Sequence, residues 1–201
     1  MRKILRIISW VLLILIIGLF LYLFVGKAKP AEKIEWGITF SKKAAMDYTV
    51  DWKKMFSSTL DDLKVKKVRL IAYWDEIEKT QGKYDFSDLD WQINEVSKRG
   101  GEIILVMGRR TPRWPECHQP EWIKDISTGQ QEEEIIGYLR ETVNHYKNNQ
   151  SIKIWQVGNE PFLGTFGICP KLDKKFLDQE IALVKSLDFS RLIMIRESNP
   201  T

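Results

Sequence analysis

The sequence has few of the residues that build metal, thiol or nucleotide sites. It contains two cysteines and two histidines in 201 residues. Cys117 and Cys169 form no C-x-x-C pair, and His118 and His145 do not stand at metal-ligand spacing. The motifs G-x-S-x-G and G-x-G-x-x-G are both missing. We therefore expect no bound metal, no cofactor, and no serine or dinucleotide chemistry.

Acidic residues are missing from the first 29 positions, which hold five of the 31 basic residues and none of the 27 acidic ones. The rest of the chain carries 26 basic and 27 acidic residues, so the basic pI of about 8.9 arises at the N-terminus. A neutral main body does not have the charge pattern of a nucleic-acid-binding protein. We expect no nucleic-acid partner.

The basic N-terminus surrounds an apolar run at residues 7–25, interrupted only by Ser9 and Gly18. As a helix this run is long enough to span a lipid bilayer. A cleaved signal peptide is the alternative, but its apolar region is usually shorter and ends at small residues. By the positive-inside rule we expect a single-pass protein of the cell membrane with a cytoplasmic N-terminus and an extracytoplasmic main domain. The expected organisation is a cytoplasmic tail at 1–6, a transmembrane signal anchor at 7–25, a linker at 26–33 and one folded domain at 34–201.

The main domain alternates short β-branched runs with amphipathic segments. Strands are predicted at 34–40, 67–73, 102–107, 152–158 and 192–196, and helices at 51–64, 87–100, 131–147 and 173–187. Ser87 is the expected N-cap of the second of these helices. This alternation predicts an α/β fold with a parallel sheet, either doubly wound or closed as a (β/α)₈ TIM barrel. The missing glycine motif and the long loops after the strands favour the barrel.

The sharpest local signal is Asn159-Glu160-Pro161 at the end of the fourth predicted strand. A carboxylic acid at a partly apolar mouth can retain its proton near neutral pH, as protonation of a glycosidic oxygen requires. An ordinary turn with a solvated Glu160 is the alternative.

Aromatic side chains also follow the strands, and flat aromatic faces suit sugar rings. They include Trp74, Trp114, Trp122, Phe162 and Phe166. The tryptophans Trp36, Trp52, Trp91 and Trp155 are expected to pack in the interior instead.

These residues resemble the clan A glycoside hydrolases, the cellulase-like and β-galactosidase-like TIM-barrel enzymes. The similarity spans about residues 36–196. It is carried by Val68-Arg69-Leu70, by Tyr73-Trp74-Asp75-Glu76-Ile77-Glu78 with the following segment 82–90, and by Trp155-Gln156-Val157-Gly158-Asn159-Glu160-Pro161. The last of these motifs is the most specific.

The resemblance implies a role for each matching residue. Glu160 is the expected acid/base, Asn159 binds the sugar hydroxyl beside the reacting carbon, and Arg69 holds the nucleophile ionised from below. We also expect Trp74, Trp114, His118 and Phe162 to contact an oligo- or polysaccharide substrate.

In such enzymes the nucleophile is a second glutamate at the end of the seventh strand, whereas this sequence stops just after a fifth. We therefore expect an incomplete barrel of about five βα units. Glu197 is the best-placed substitute for the nucleophile, and Glu76 and Glu78 are expected to pair with lysines. The leading hypothesis is a membrane-anchored retaining glycosidase for β-linked saccharides that carries the acid/base but lacks the nucleophile. A non-catalytic carbohydrate-binding or envelope protein is the alternative.

The two cysteines fall in loops that follow neighbouring predicted strands. An extracytoplasmic compartment permits a disulfide between Cys117 and Cys169. Two unrelated, half-buried thiols remain the alternative.

Overall fold

The computed structural model describes residues 2–24, 34–170 and 173–197. The chain divides into two compact units, Met1–Glu35 and Trp36–Thr201. The expected linker at 26–33 lies outside the described residues, so its extent remains a prediction.

The described part of the first unit is the helix α1 (Arg2–Phe24), of 23 residues, with residues 34 and 35. At 1.5 Å per residue it is about 34 Å long, and its mean hydropathy reaches 2.9. It begins before the predicted run because the residues of the basic N-terminal segment are good helix formers. The helix is long and apolar enough to cross a membrane, and a signal sequence has the same properties.

The second unit is built on one parallel sheet. Its strands are β1 (Gly37–Thr39), β2 (Lys67–Ile71), β3 (Glu102–Met107), β4 (Ile152–Asn159) and β5 (Leu192–Arg196). They pair in the sequential order β1-β2-β3-β4-β5, and every pairing is parallel. A doubly wound sheet reverses its order at a switch point, whereas a barrel adds each strand beside the last. The sheet therefore has the topology of an incomplete TIM barrel, and the predicted fold class is confirmed.

Helices connect the strands. They are α2 (Lys42–Asp47), α3 (Trp52–Asp62), α4 (Trp74–Ile77), α5 (Ser87–Lys98), a 3₁₀ helix (Glu121–Asp125), α6 (Thr128–Tyr146) and α7 (Lys174–Leu187). The short helices α2, α4 and Glu121–Asp125 were missed by the sequence analysis because segments of four to six residues show too little periodicity.

Side-chain caps explain where several helices begin. The Asp51 carboxylate accepts hydrogen bonds from Lys53 N and Lys54 N at the start of α3. Ser127 and Gln130 form a capping box at the start of α6. The prediction for Ser87 was wrong, because Ser87 is already the first residue of α5. Its N–H donates to Asp85 Oδ1 at 2.9 Å.

The core lies between the sheet and the helices that cover it. Trp155 is fully buried there, and Trp52 packs edge-to-face on Trp91 with ring centroids 5.3 Å apart. The prediction for Trp36 was wrong, because its side chain is 79% exposed. Strand β1 starts at Gly37, so Trp36 lies before the segment that pairs with β2.

The sheet positions the candidate site. Since all five strands are parallel, their carboxyl ends meet at one edge, where the loops after β2, β3 and β4 converge. The polar residues that follow these strands are therefore brought together from distant parts of the sequence.

Candidate active site at the carboxyl ends of the strands

The end of β4 is held by its neighbours on both sides. Asn159 N donates to the Arg110 carbonyl at 2.8 Å, and Glu160 N donates to the Arg196 carbonyl at 2.7 Å. Glu160 adopts a left-handed φ of +51°, which is uncommon for a residue with a Cβ. Asn159 is 5% exposed and Glu160 is half-buried. The amide and the carboxylate are thus set at the mouth by the backbone of the adjacent strands.

Arg69 on β2 lies beneath this pair. Its Nη2 donates to Asn159 Oδ1 at 2.8 Å, and its Nε donates to Gln156 Oε1 at 2.8 Å. Burial lowers the pKa of the Arg69 guanidinium to about 10, and the positive charge of Arg196 acts in the same direction. Arg69 therefore stays charged near neutral pH and favours anions close to it.

A second carboxylate, Glu116, enters the site from the loop after β3. It is 5% exposed, and its Oε2 accepts a hydrogen bond from Asn159 Nδ2 at 3.4 Å. Burial raises the pKa of the Glu116 carboxyl, and the negative charge of Glu160 adds to the rise; the Asn159 hydrogen bond and Arg110 partly offset it. Sequence reasoning missed Glu116 because nothing in the pattern of a loop glutamate indicates what it contacts.

The loops after β3 and β4 are joined at several points. Cys117 and Cys169 form a disulfide with Cα atoms 5.3 Å apart. The Arg110 guanidinium donates to the carbonyls of Asn159 at 3.1 Å and Phe166 at 2.8 Å. These bonds hold the two loops as one wall of the site.

Three exposed aromatic residues lie on this wall. Trp114 is 62% exposed and packs edge-to-face on Phe166, which is 49% exposed, with ring centroids 5.7 Å apart. Phe162 is 42% exposed. A cavity of ≈ 290 Å³ opens among Arg110, Phe162, Phe166 and their neighbours. The structure therefore brings Trp114 and Phe162 together with Phe166 on one surface.

Two expected sugar contacts are buried instead. The prediction for Trp74 was wrong: it starts helix α4, is fully buried, and donates from Nε1 to Glu78 Oε2 at 2.6 Å. A side chain in the core cannot stack on a sugar. His118 is 3% exposed, and its Nε2 donates to the Arg113 carbonyl at 3.0 Å, which leaves no open ring face for a substrate. Burial also lowers the pKa of the His118 imidazole.

The remaining carboxylates have other partners. Glu76 accepts a hydrogen bond from Lys42 Nζ at 3.1 Å, as expected of a lysine-paired charge. The same expectation was wrong for Glu78, which is buried and accepts from Trp74 and from Gly82 N. Glu197 Oε2 accepts from Phe162 N at 3.0 Å. Within the described residues no group of three or more His, Cys, Asp or Glu side chains could hold a metal ion.

The known proteins and the family model with sequences similar to this chain are described as beta-galactosidases. The glycoside hydrolase family 42 model, described as beta-galactosidase, matches residues 49–180, more than half of the chain. Beta-galactosidase BgaA of Clostridium cellulovorans is 30% identical over 145 residues, which are 62% of this chain and 21% of that protein. Beta-galactosidase BbgII of Bifidobacterium bifidum is 30% identical over 124 residues, 50% of this chain and 18% of that protein. The chain thus spans about a fifth of the length of these relatives.

Solved structures share the fold at low sequence identity. GH5_18 from Streptomyces cattleya, in complex with GlcNAc, has a TM-score of 0.63 at 14% identity over 83% of this chain and 45% of that one. A β-galactosidase from the haloarchaeon Halorubrum lacusprofundi has a TM-score of 0.55 at 14% identity over 81% of this chain and 36% of that one. Together with the sequence match, the barrel topology assigns the chain to glycoside hydrolase clan A. It belongs to the β-galactosidase family, glycoside hydrolase family 42.

Proposed function

We propose that this chain builds the acid/base side of a retaining glycosidase site for β-linked galactosides. The observation that carries the proposal is the grouping of Arg69 on β2 with Asn159 and Glu160 at the carboxyl end of β4, where Arg69 donates a hydrogen bond to Asn159 at 2.8 Å. Active sites of TIM-barrel enzymes lie at this end of the strands.

In this proposal Glu160 first protonates the glycosidic oxygen and then deprotonates the water that releases the sugar. The Asn159 amide oxygen accepts from Arg69 and one N–H of its NH₂ group donates to Glu116, so the second N–H is the donor that would bond the sugar. A donor that bonds a ring hydroxyl more strongly as positive charge develops on the sugar lowers the barrier. These roles follow the matching motif and are consistent with the positions of both side chains.

A retaining pair of carboxylates stands about 5–5.5 Å apart across the sugar. The Glu197 carboxylate accepts a hydrogen bond from the backbone N–H of Phe162, which argues against Glu197 as the nucleophile that pairs with Glu160. We propose that the nucleophile comes from the part of the relatives' length that this chain does not span. Arg69, with its positive charge beneath the site, would keep that carboxylate ionised.

Sugar binding is assigned to the aromatic wall. Trp114, Phe162 and Phe166 expose large apolar surfaces beside a cavity of ≈ 290 Å³, a size that accommodates a monosaccharide unit. The galactoside preference is taken from the names of the sequence relatives. Aromatic side chains on converging loops support the assignment, because apolar faces of sugar rings stack on them.

The test compares Glu160→Gln with Glu121→Gln in the full chain, solubilised in detergent. Glu121 is a matched control because its side chain is 88% exposed and its ion pair is with the exposed Lys124. Galactoside binding is measured by tryptophan fluorescence. Hydrolysis is measured with a nitrophenyl β-galactoside as the substrate. We expect both variants of this chain to bind galactoside like the wild type. In a protein extended by the remaining length of the relatives, which would supply the nucleophile, we expect Glu160→Gln but not Glu121→Gln to lose about 10²–10⁴-fold in hydrolysis. Unchanged hydrolysis in the extended Glu160→Gln variant would remove Glu160 from the mechanism, and binding without hydrolysis by the extended wild type would favour the carbohydrate-binding alternative.

We further propose that α1 anchors the protein in the cell membrane with the main domain outside. The support is the 23-residue apolar helix with Arg2, Lys3 and Arg6 at its start. We expect the protein to stay in the membrane fraction after alkaline extraction, with its N-terminal sequence intact in the mass spectrum. A mature product that lacks the helix would identify it as a cleaved signal sequence.

A further inference from the structure

The side-chain amide of Asn159 has a different partner at each end. Arg69 Nη2 donates to its Oδ1 at 2.8 Å, and its Nδ2 donates to Glu116 Oε2 at 3.4 Å. An amide group has nearly the same shape when rotated by 180°, so its hydrogen-bond partners decide which end is the donor. A guanidinium only donates and a carboxylate accepts, so the two partners select a single orientation. One N–H of Asn159 is then left for a further acceptor.

Glu116 is held rigidly in the place from which it reaches Asn159. Its backbone has a left-handed φ of +73°, its N–H donates to the Arg113 carbonyl at 2.6 Å, and its carbonyl accepts from Thr111 N at 2.8 Å. Gly167 packs against its side chain so closely that an added Cβ would lie 2.9 Å from the Glu116 Cβ. The next residue, Cys117, is in the disulfide. These contacts fix the position of the Glu116 side chain beside Asn159.

We propose that Glu116 is a positioning residue that fixes the Asn159 amide so that its free N–H faces the bound sugar. It acts through Asn159 and does not touch the substrate itself. This inference rests on the proposed function, because the orientation of Asn159 affects binding only if Asn159 bonds the sugar. It adds a residue from the loop after β3 to a site assembled from β2 and β4.

The charges around Glu116 are consistent with this role. Arg69 faces it from β2, Arg110 and Arg113 lie on its own loop, and Glu160 faces it from the end of β4. The cations favour the ionised carboxylate, which accepts the Asn159 hydrogen bond, whereas burial and Glu160 oppose ionisation. Glu116 should therefore gain a proton at a higher pH than an ordinary glutamate, and the Asn159 amide should report that change.

The experiment uses the full chain in detergent with ¹⁵N-labelled asparagine. The side-chain resonance of Asn159, identified by its loss in Asn159→Ala, is followed against pH. Methyl β-galactoside affinity is measured in parallel. Three variants are compared with the wild type: Glu116→Gln keeps an acceptor but cannot ionise, Glu116→Asp keeps the charge but withdraws the oxygens by one methylene, and Glu121→Gln is the exposed control.

We expect the wild type and Glu121→Gln to show the same Asn159 titration, and Glu116→Gln to lose it. The affinity should fall about tenfold in Glu116→Asp, the effect of one lost hydrogen bond, and about twofold or less in Glu116→Gln. An Asn159 resonance and an affinity that are the same in all four proteins would overturn the proposal. If no protein binds galactoside, the proposed function fails, while the Asn159 titration still decides whether Glu116 orients the amide.

Discussion

Removing the disulfide between Cys117 and Cys169 should lower the free energy of unfolding of the main domain by about 4 kcal/mol. The bond joins residues 52 positions apart. Closing a loop of that length in the unfolded chain costs about 14 cal/mol/K of entropy, which is about 4 kcal/mol at 25 °C. The hydrogen bonds from Arg110 and the Ile168 N–H bond to the Pro115 carbonyl at 2.9 Å remain in the folded state and keep the loops in contact. The loss should therefore come mainly from the unfolded state.

The perturbation is Cys117→Ser with Cys169→Ser, compared with the oxidised and the reduced wild type. Urea unfolding of the full chain in detergent is followed by tryptophan fluorescence. With a urea dependence of about 2 kcal/mol per M, the midpoint should fall by about 2 M in the variant and by a similar amount on reduction. A midpoint that equals that of the oxidised wild type, or a wild type whose thiols are alkylated without reduction, would refute this reasoning.

Four other changes test separate features of the structure. Burial raises the pKa of Glu180 to about 8, so the folded state binds the Glu180 proton more tightly than the unfolded state does. The free energy of unfolding should therefore decline as the pH rises from about 5 to 8. Glu180→Gln should flatten that decline, as measured by urea midpoints. Trp74→Phe removes the donor to Glu78 and should cost about 1–3 kcal/mol in the same assay. Trp114→Ala, on an exposed side chain, should change stability by less than about 0.5 kcal/mol but weaken galactoside binding. Gly167→Ala forces a Cβ into a position with φ of +87° against Glu116 and should cost at least about 1–2 kcal/mol. A Trp114 variant with unchanged affinity, or any of the other three with an unchanged midpoint or pH slope, would contradict the corresponding argument.

Much of the fold could be predicted from local patterns. The strands Glu102–Met107 and Leu192–Arg196 lie where the β-branched runs indicated, because a short apolar run rich in β-branched residues favours a strand whatever its neighbours are. The long helices α3, α6 and α7 follow from apolar spacing and begin at Asp51, Ser127 and Asp173, whose side chains satisfy free backbone N–H groups.

The site was predicted less completely, and the errors have a common cause. Trp74 and Trp114 both follow strand ends in the sequence, yet one is fully buried and the other is 62% exposed. The difference arises because Trp74 begins a helix that turns into the core, whereas Trp114 lies on a loop held at the mouth by the disulfide. Proximity to a strand end says where a residue is in the chain but not which way its side chain points.

The sequence alone determined the apolar N-terminal helix, the alternation of strands and helices, and the Asn159-Glu160 pair at a strand end, since each depends on residues close together in the chain. Only the tertiary structure decided the order of the strands, the burial of Trp74 and the contact between Glu116 and Asn159. These features depend on which distant segments pack together, and the free energy of that packing is shared among many side chains. No local sequence pattern therefore predicts which distant segments pack together.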